Sequence, residues 1–134
     1  MKTFGVSLVS FLVLDVLWLG FVVKDFNLQQ LAQIGRINNG EFDLLLFPAA
    51  ITYVLMSLAM VFFVVPKAAG SGRLGPAFGW GALMGLVVYG VFDMTNLAIL
   101  RDYPVTFVYA DMAWGTFVFG AVSAIVHKFE ALTK

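Results

Sequence analysis

Apolar residues fill four stretches of the chain almost without interruption, Phe4 to Val23, Leu44 to Val65, Phe78 to Leu100 and Val105 to Val126, and polar residues collect between them. A helix rises 1.5 Å per residue and the hydrocarbon layer of a bilayer is about 30 Å thick, so about 20 apolar residues cross it. Each stretch is long enough. Backbone groups in lipid must be bonded within their own helix. The pattern therefore predicts an all-α integral membrane bundle of four antiparallel transmembrane helices, a single domain over residues 1–134.

The connections differ in character. Between the first two stretches Phe26, Leu31, Ile34 and Ile37 recur at helical intervals among Gln and Asn. This spacing predicts a short amphipathic helix on the membrane surface; an irregular loop anchored by the same side chains is the alternative. Ala68 to Pro76 is rich in Gly and reads as a flexible loop. Arg101-Asp102-Tyr103-Pro104 is a tight link in which Pro104 starts the last helix, making the third and fourth helices antiparallel neighbours. The first stretch follows Met1-Lys2 as a signal peptide would, but Asp15 interrupts it and no small-x-small cleavage site follows, so it is read as a span. A cytoplasmic N-terminus puts Lys2, Lys67, Arg73, Lys128 and Lys134 inside and only Lys24, Arg36 and Arg101 outside. By the charge rule both termini are expected in the cytoplasm.

Composition removes whole classes of function. With 61% hydrophobic and 12% charged residues and a mean hydropathy of +0.94, the chain is far from the balance of a soluble domain. Its formal net charge is zero, which gives no surface for nucleic acid. The absence of Cys excludes disulfides, thiolate metal sites and thiol catalysis. His127 is the sole histidine and falls at the end of the fourth stretch, an interfacial position, so no metal-ligating cluster and no cofactor motif is visible.

Three carboxylates sit inside these stretches. Each of Asp15, Asp93 and Asp111 costs about 2.5 to 3.5 kcal/mol near a bilayer centre on insertion scales. At 1.5 Å per residue, Asp15 falls roughly 2 Å outside the midplane and Asp93 and Asp111 roughly 6 to 7 Å outside it, so all three share one layer. Asn96 follows Asp93 by three residues on the same helix face, and Thr52, Tyr53, Trp18 and Trp114 fall at similar depth. On the third helix Gly81, Gly85, Tyr89 and Asp93 recur every four residues, a face smooth at its cytoplasmic end and polar toward the outside. Small residues there let a neighbouring helix approach closely. The expected bundle is sealed on the inside and polar in its outer half. No Lys, Arg or His lies within a span to neutralise the acids. They must be protonated, share protons, accept hydrogen bonds or hold a cation.

An internal repeat falls on the same layer. Phe11, Asp15, Trp18 and Phe21 match Phe107, Asp111, Trp114 and Phe117 in the pattern F-x-x-x-D-x-x-W-x-x-F, with the copies running in opposite directions. Inverted repeats of this kind are found in transporters, with substrate sites at the repeat interface. Coincidence in an aromatic-rich chain is the alternative. Within each copy, Trp three residues after Asp sets an indole N–H beside the carboxyl of the same helix.

The segments Asp15-Val-Leu-Trp18-Leu-Gly20, Tyr89-Gly90-Val-Phe-Asp93-Met-Thr95-Asn96 and Asp111-Met-Ala-Trp114-Gly115-Thr116 resemble, in order and over nearly the whole chain, the small bacterial inner-membrane proteins grouped as domain of unknown function 2177. Val91-Phe92 stands where that pattern has Thr-Tyr, which removes a hydroxyl contact from the turn. The resemblance implies a multi-pass protein of the bacterial inner (plasma) membrane. It carries no activity, and its association with fatty-acyl modification suggests lipid as a ligand class.

Three functions compete. In the first, Asp15, Asp93, Asp111, Asn96, Tyr89, Trp18 and Trp114 form an outward-facing site that binds or transports a proton, a small cation or a cationic amphipath. A lipid-directed enzyme or accessory subunit is the second, with the acids, Asn96 and Thr95 ligating Mg²⁺ or acting as acid and base. The third is a structural subunit that docks a second copy or another membrane protein on the Gly81/Gly85 face. Membrane lipids are partners in each.

Overall fold

The computed structural model describes residues 1–69 and 72–133. Four helices long and apolar enough to span a bilayer are present: a first span Lys2–Val22, a second Leu46–Ala68, a third Leu74–Ile99 and a fourth Val105–Leu132. All four expected spans are found; the first two are shifted by a few residues, the third starts earlier and the fourth runs on to Leu132. The third begins four residues before Phe78, because Pro76 in its first turn has no intrahelical N–H bond to lose. The expected loop of Ala68 to Pro76 narrows accordingly; Gly70 and Ser71, at its centre, lie outside the described residues. At 26 and 28 residues the last two helices reach about 39 and 42 Å, longer than the hydrocarbon layer. An even number of spans brings both termini to one end of the bundle, where the Thr3 hydroxyl donates to Glu130 Oε1 at 2.9 Å.

The first two spans are not uniform helices. Trp18–Val22 and Met60–Val64 are wound as π-type turns. In the second span this turn immediately precedes Pro66, whose ring would clash with the carbonyl four residues back in a regular helix. In the first span it sets the residues that follow Asp15.

The connection between the first two spans departs from expectation. A short helix does form, Lys24–Gln30, but it ends before Ile34 and Ile37. Ile37–Asn38 and Glu41–Phe42 instead pair as an antiparallel hairpin, with Ile37 opposite Phe42. Asn39 and Gly40, at φ 51° and 79°, form the tight turn that Asn-Gly favours because both residues tolerate the left-handed region. A salt bridge of 2.6 Å from Lys24 to Glu41 ties helix to hairpin. The end of the bundle opposite the termini is therefore capped by ordered structure.

Glycines govern the closest helix contact. A Cβ at Gly81 would meet the Phe119 carbonyl and Ser123, and one at Gly85 would meet the Gly115 carbonyl. Gly115 in turn makes room for the Tyr89 ring. The third and fourth spans thus pack backbone to backbone, as small residues allow, and the Ser123 hydroxyl adds a 2.6 Å bond to the Ala77 carbonyl. The Gly81/Gly85 face is occupied by the chain's own fourth span. It is not a free docking face, which corrects that part of the structural-subunit reading.

Two apolar clusters bracket the interior. Toward the termini, Phe11, Met56, Met60, Val118, Phe119 and Val122 form the larger core, with Phe11 and Phe119 ring centroids 4.8 Å apart. Toward the hairpin, Tyr103, Phe107 and Val108 pack with Phe26, Leu31 and Leu97. Asp15, Asp93 and Asp111 lie between them.

Candidate functional site

Each span contributes to one buried polar layer. Asp15 from the first span is 3% exposed and Asp93 from the third is fully buried, while Asp111 from the fourth is half-buried. Asp15 accepts a 2.7 Å bond from the Trp114 indole, with the Tyr53 hydroxyl of the second span nearby. Asp93 Oδ1 accepts from the Tyr103 hydroxyl at 2.9 Å, with the Asn96 amide close to Tyr103. The Asp93 and Asp111 carboxyls are hydrogen-bonding neighbours. Tyr89, half-buried on the face of Gly85 and Asp93, stands within electrostatic reach of all three acids. The structure buries Asp15 and Asp93 inside the bundle and sets the half-buried Asp111 beside Asp93.

One atom stands out. Among the described residues, Asp93 Oδ2 is the buried side-chain oxygen with no donor, and the Asp111 carboxyl neighbours the same residue. Two ionised carboxylates only accept hydrogen bonds, so this contact becomes a bond when one of them carries a proton. The described residues hold no group of three or more His, Asp or Glu side chains arranged to cage a metal ion.

Several residues are placed differently from the sequence reading. The local Asp-x-x-Trp pairing does not form: the Trp114 N–H reaches across to Asp15 on the first span rather than to Asp111 on its own helix. Trp18 and Trp114, equivalent in the repeat, stack with centroids 4.4 Å apart and planes 6° from parallel. The repeat relation is kept by the indoles and broken by the acids, since Asp111 turns to Asp93. Thr52 is exposed and bonds its own helix at Pro48, and Thr95 is also exposed; neither enters the layer. Val91 and Phe92, 65% and 56% exposed, face away from the acids, so their departure from the family pattern does not alter the site.

Tyr103 is the site residue that sequence reasoning missed. It lies in the link between the last two spans, outside any apolar stretch, yet it is only 8% exposed and folds back over Asp93. Burial, and then the bond to Asp93, push its phenol above the ordinary value against the pull of Asn96, so the hydroxyl keeps its proton and donates. No spacing rule in the sequence points to this contact, because the link reverses the chain before the side chain is aimed.

The outer half is also less open than expected. Tyr103, Phe107 and the Lys24–Gln30 helix cover the acids on the hairpin end. A cavity of about 510 Å³ lies to one side, between the first and fourth spans; Trp18, Phe26, Ala110, Ala113, Trp114 and Phe117 line it, and none of the three acids does.

A four-span bundle closed around a carboxyl layer defines a polytopic membrane protein. A family described as predicted membrane protein (DUF2177) matches residues 1–127, and the chain belongs to it. No curated protein and no solved structure matches the chain.

Proposed function

We propose that this protein binds a proton at the Asp93–Asp111 pair and exchanges it for a small cation or the cationic part of an amphipath on the hairpin side. The observation that carries the reading is the buried Asp93 Oδ2 without a donor, on a residue whose neighbour is the Asp111 carboxyl. Intramembrane ionisable groups that face a bundle interior mark ion or proton pathways far more often than they serve as inert packing. Asp15, with Trp114 and Tyr53, is the next acceptor in the layer, and Tyr89 lies between the two. Phe11 on Phe119 closes the layer from the terminal end and Tyr103 covers Asp93 from the hairpin end, so exchange on the hairpin side requires the Tyr103 cover to move. The magnesium-enzyme reading loses support because Thr95 is exposed and, among the described residues, no three acidic or His side chains are grouped to hold a metal ion.

The membrane assignment extends to orientation. Lys2, Lys67, Arg73 and Lys128 lie toward the end that carries the termini and Lys24, Arg36 and Arg101 toward the hairpin, so the charge rule favours cytoplasmic termini in a bacterial inner membrane.

Proton release from detergent-solubilised protein in weak buffer, on addition of tetraphenylphosphonium as a lipophilic cation, tests the exchange. Wild type should release protons saturably, and Asp93→Asn should release none while unfolding at the same detergent challenge. Equal release from the variant, or none from wild type across the titration, would refute the proposal. The latter result would leave the carboxyls as hydrogen-bonding links between helices.

A further inference from the structure

We infer that the groove between the first and fourth spans is a binding site for one acyl chain of a bilayer lipid, in the leaflet nearer the hairpin. Its volume of about 510 Å³ falls within the range of small-ligand sites. The lining is almost wholly carbon, and the one indole N–H of Trp114 is already spent on Asp15, so an apolar occupant fits and a polar one does not. Position decides which apolar occupant. The walls belong to two membrane-crossing helices, Lys2–Val22 and Val105–Leu132, so the mouth opens onto hydrocarbon, where lipid chains are the available apolar species.

The recess is a built feature and not a gap between two cylinders. Ala110 and Ala113 leave room on the fourth span that larger side chains would fill. The stacked Trp18 and Trp114 rings form a rigid wall. The π-type turn at Trp18–Val22, a distortion found most often at functional positions, carries that wall, and Phe26 of the short helix closes the end next to the membrane surface. Trp114 then faces two ways, with its ring on the groove and its N–H on Asp15. A chain lying on the ring bears on the indole that positions this carboxyl.

The inference is independent of proton exchange and has its own readout. The chain holds three tryptophans, so Trp80→Phe leaves Trp18 and Trp114 as the emitters. Delipidated protein in excess dodecyl maltoside, which strips loosely held lipid, is titrated with phosphatidylcholine brominated on one acyl chain, because bromine quenches indole on contact. The expected result is saturable quenching that levels off near one lipid per chain, is lost in Ala113→Leu and in Ala110→Leu, and is kept in Asp93→Asn. Circular dichroism identifies any variant that has not folded, and the second groove variant then decides. Quenching that rises in proportion to the lipid-to-detergent ratio without saturating, or that survives in a folded groove variant, would overturn the inference.

Discussion

Replacing Tyr103 by Phe removes one hydroxyl and leaves the ring in its edge contact with Phe107, 5.8 Å between centroids. The loss falls on Asp93 Oδ1, whose described donor is that hydroxyl at 2.9 Å. Interhelical hydrogen bonds in membranes average about 0.6 kcal/mol and reach about 1.7 kcal/mol, whereas orphaning a buried polar atom costs about 1–3 kcal/mol. Asp93 has no exposure to recover water and its other oxygen already lacks a donor, which places the effect at the upper end of the membrane range. We expect Tyr103→Phe to cost about 1.5 kcal/mol, roughly a tenfold change in the folding equilibrium. Unfolding in mixed micelles of dodecyl sulfate and a mild detergent measures it. A double-mutant cycle with Asp93→Leu isolates the pair, and a coupling near the full 1.5 kcal/mol is expected. Coupling below about 0.3 kcal/mol, the usual error of additivity, would refute the bond as a stabilising contact.

Gly85→Ala should cost about 1–3 kcal/mol in the same assay, because its Cβ falls on the Gly115 carbonyl and the two backbones must separate. Gly79→Ala on the same helix, with nothing near its Cβ, should stabilise by about 0.5–1 kcal/mol; a matching sign for both would contradict the close-approach account. Glu41→Gln breaks the exposed Lys24–Glu41 bridge and should cost less than about 1 kcal/mol, an effect that vanishes in molar salt. A larger, salt-independent loss would mean that the bridge holds the hairpin end together.

The spans and the acid layer were legible because both rest on one-dimensional rules. Twenty apolar residues define a crossing, and helical rise converts the positions of Asp15, Asp93 and Asp111 into depths. Gly81, Gly85, Tyr89 and Asp93 fell on one face by simple periodicity, and that face is the interior one. What escaped depends on three dimensions. Trp114 bonds Asp15 because two antiparallel helices bring residues from opposite ends of the chain together, a choice that i, i+3 spacing cannot foresee. Tyr103 escaped because its link turns back on the bundle. The hairpin at Asn39-Gly40 is a different case: Asn-Gly is a strong turn signature, but the apolar residues at helical intervals before it, ending in Ile37, carry a competing helical pattern.

The proposal that Asp93 and Asp111 share a proton is tested most directly by infrared difference spectroscopy of the carboxyl C=O stretch at neutral pH, recorded in H₂O and D₂O. Wild type should show a protonated-carboxyl band that shifts on deuteration, and Asp93→Asn and Asp111→Asn should each lose or displace it, because an amide supplies the donor that the pair otherwise borrows from a proton. No protonated carboxyl in wild type at neutral pH, or a band unchanged in both variants, would contradict the account.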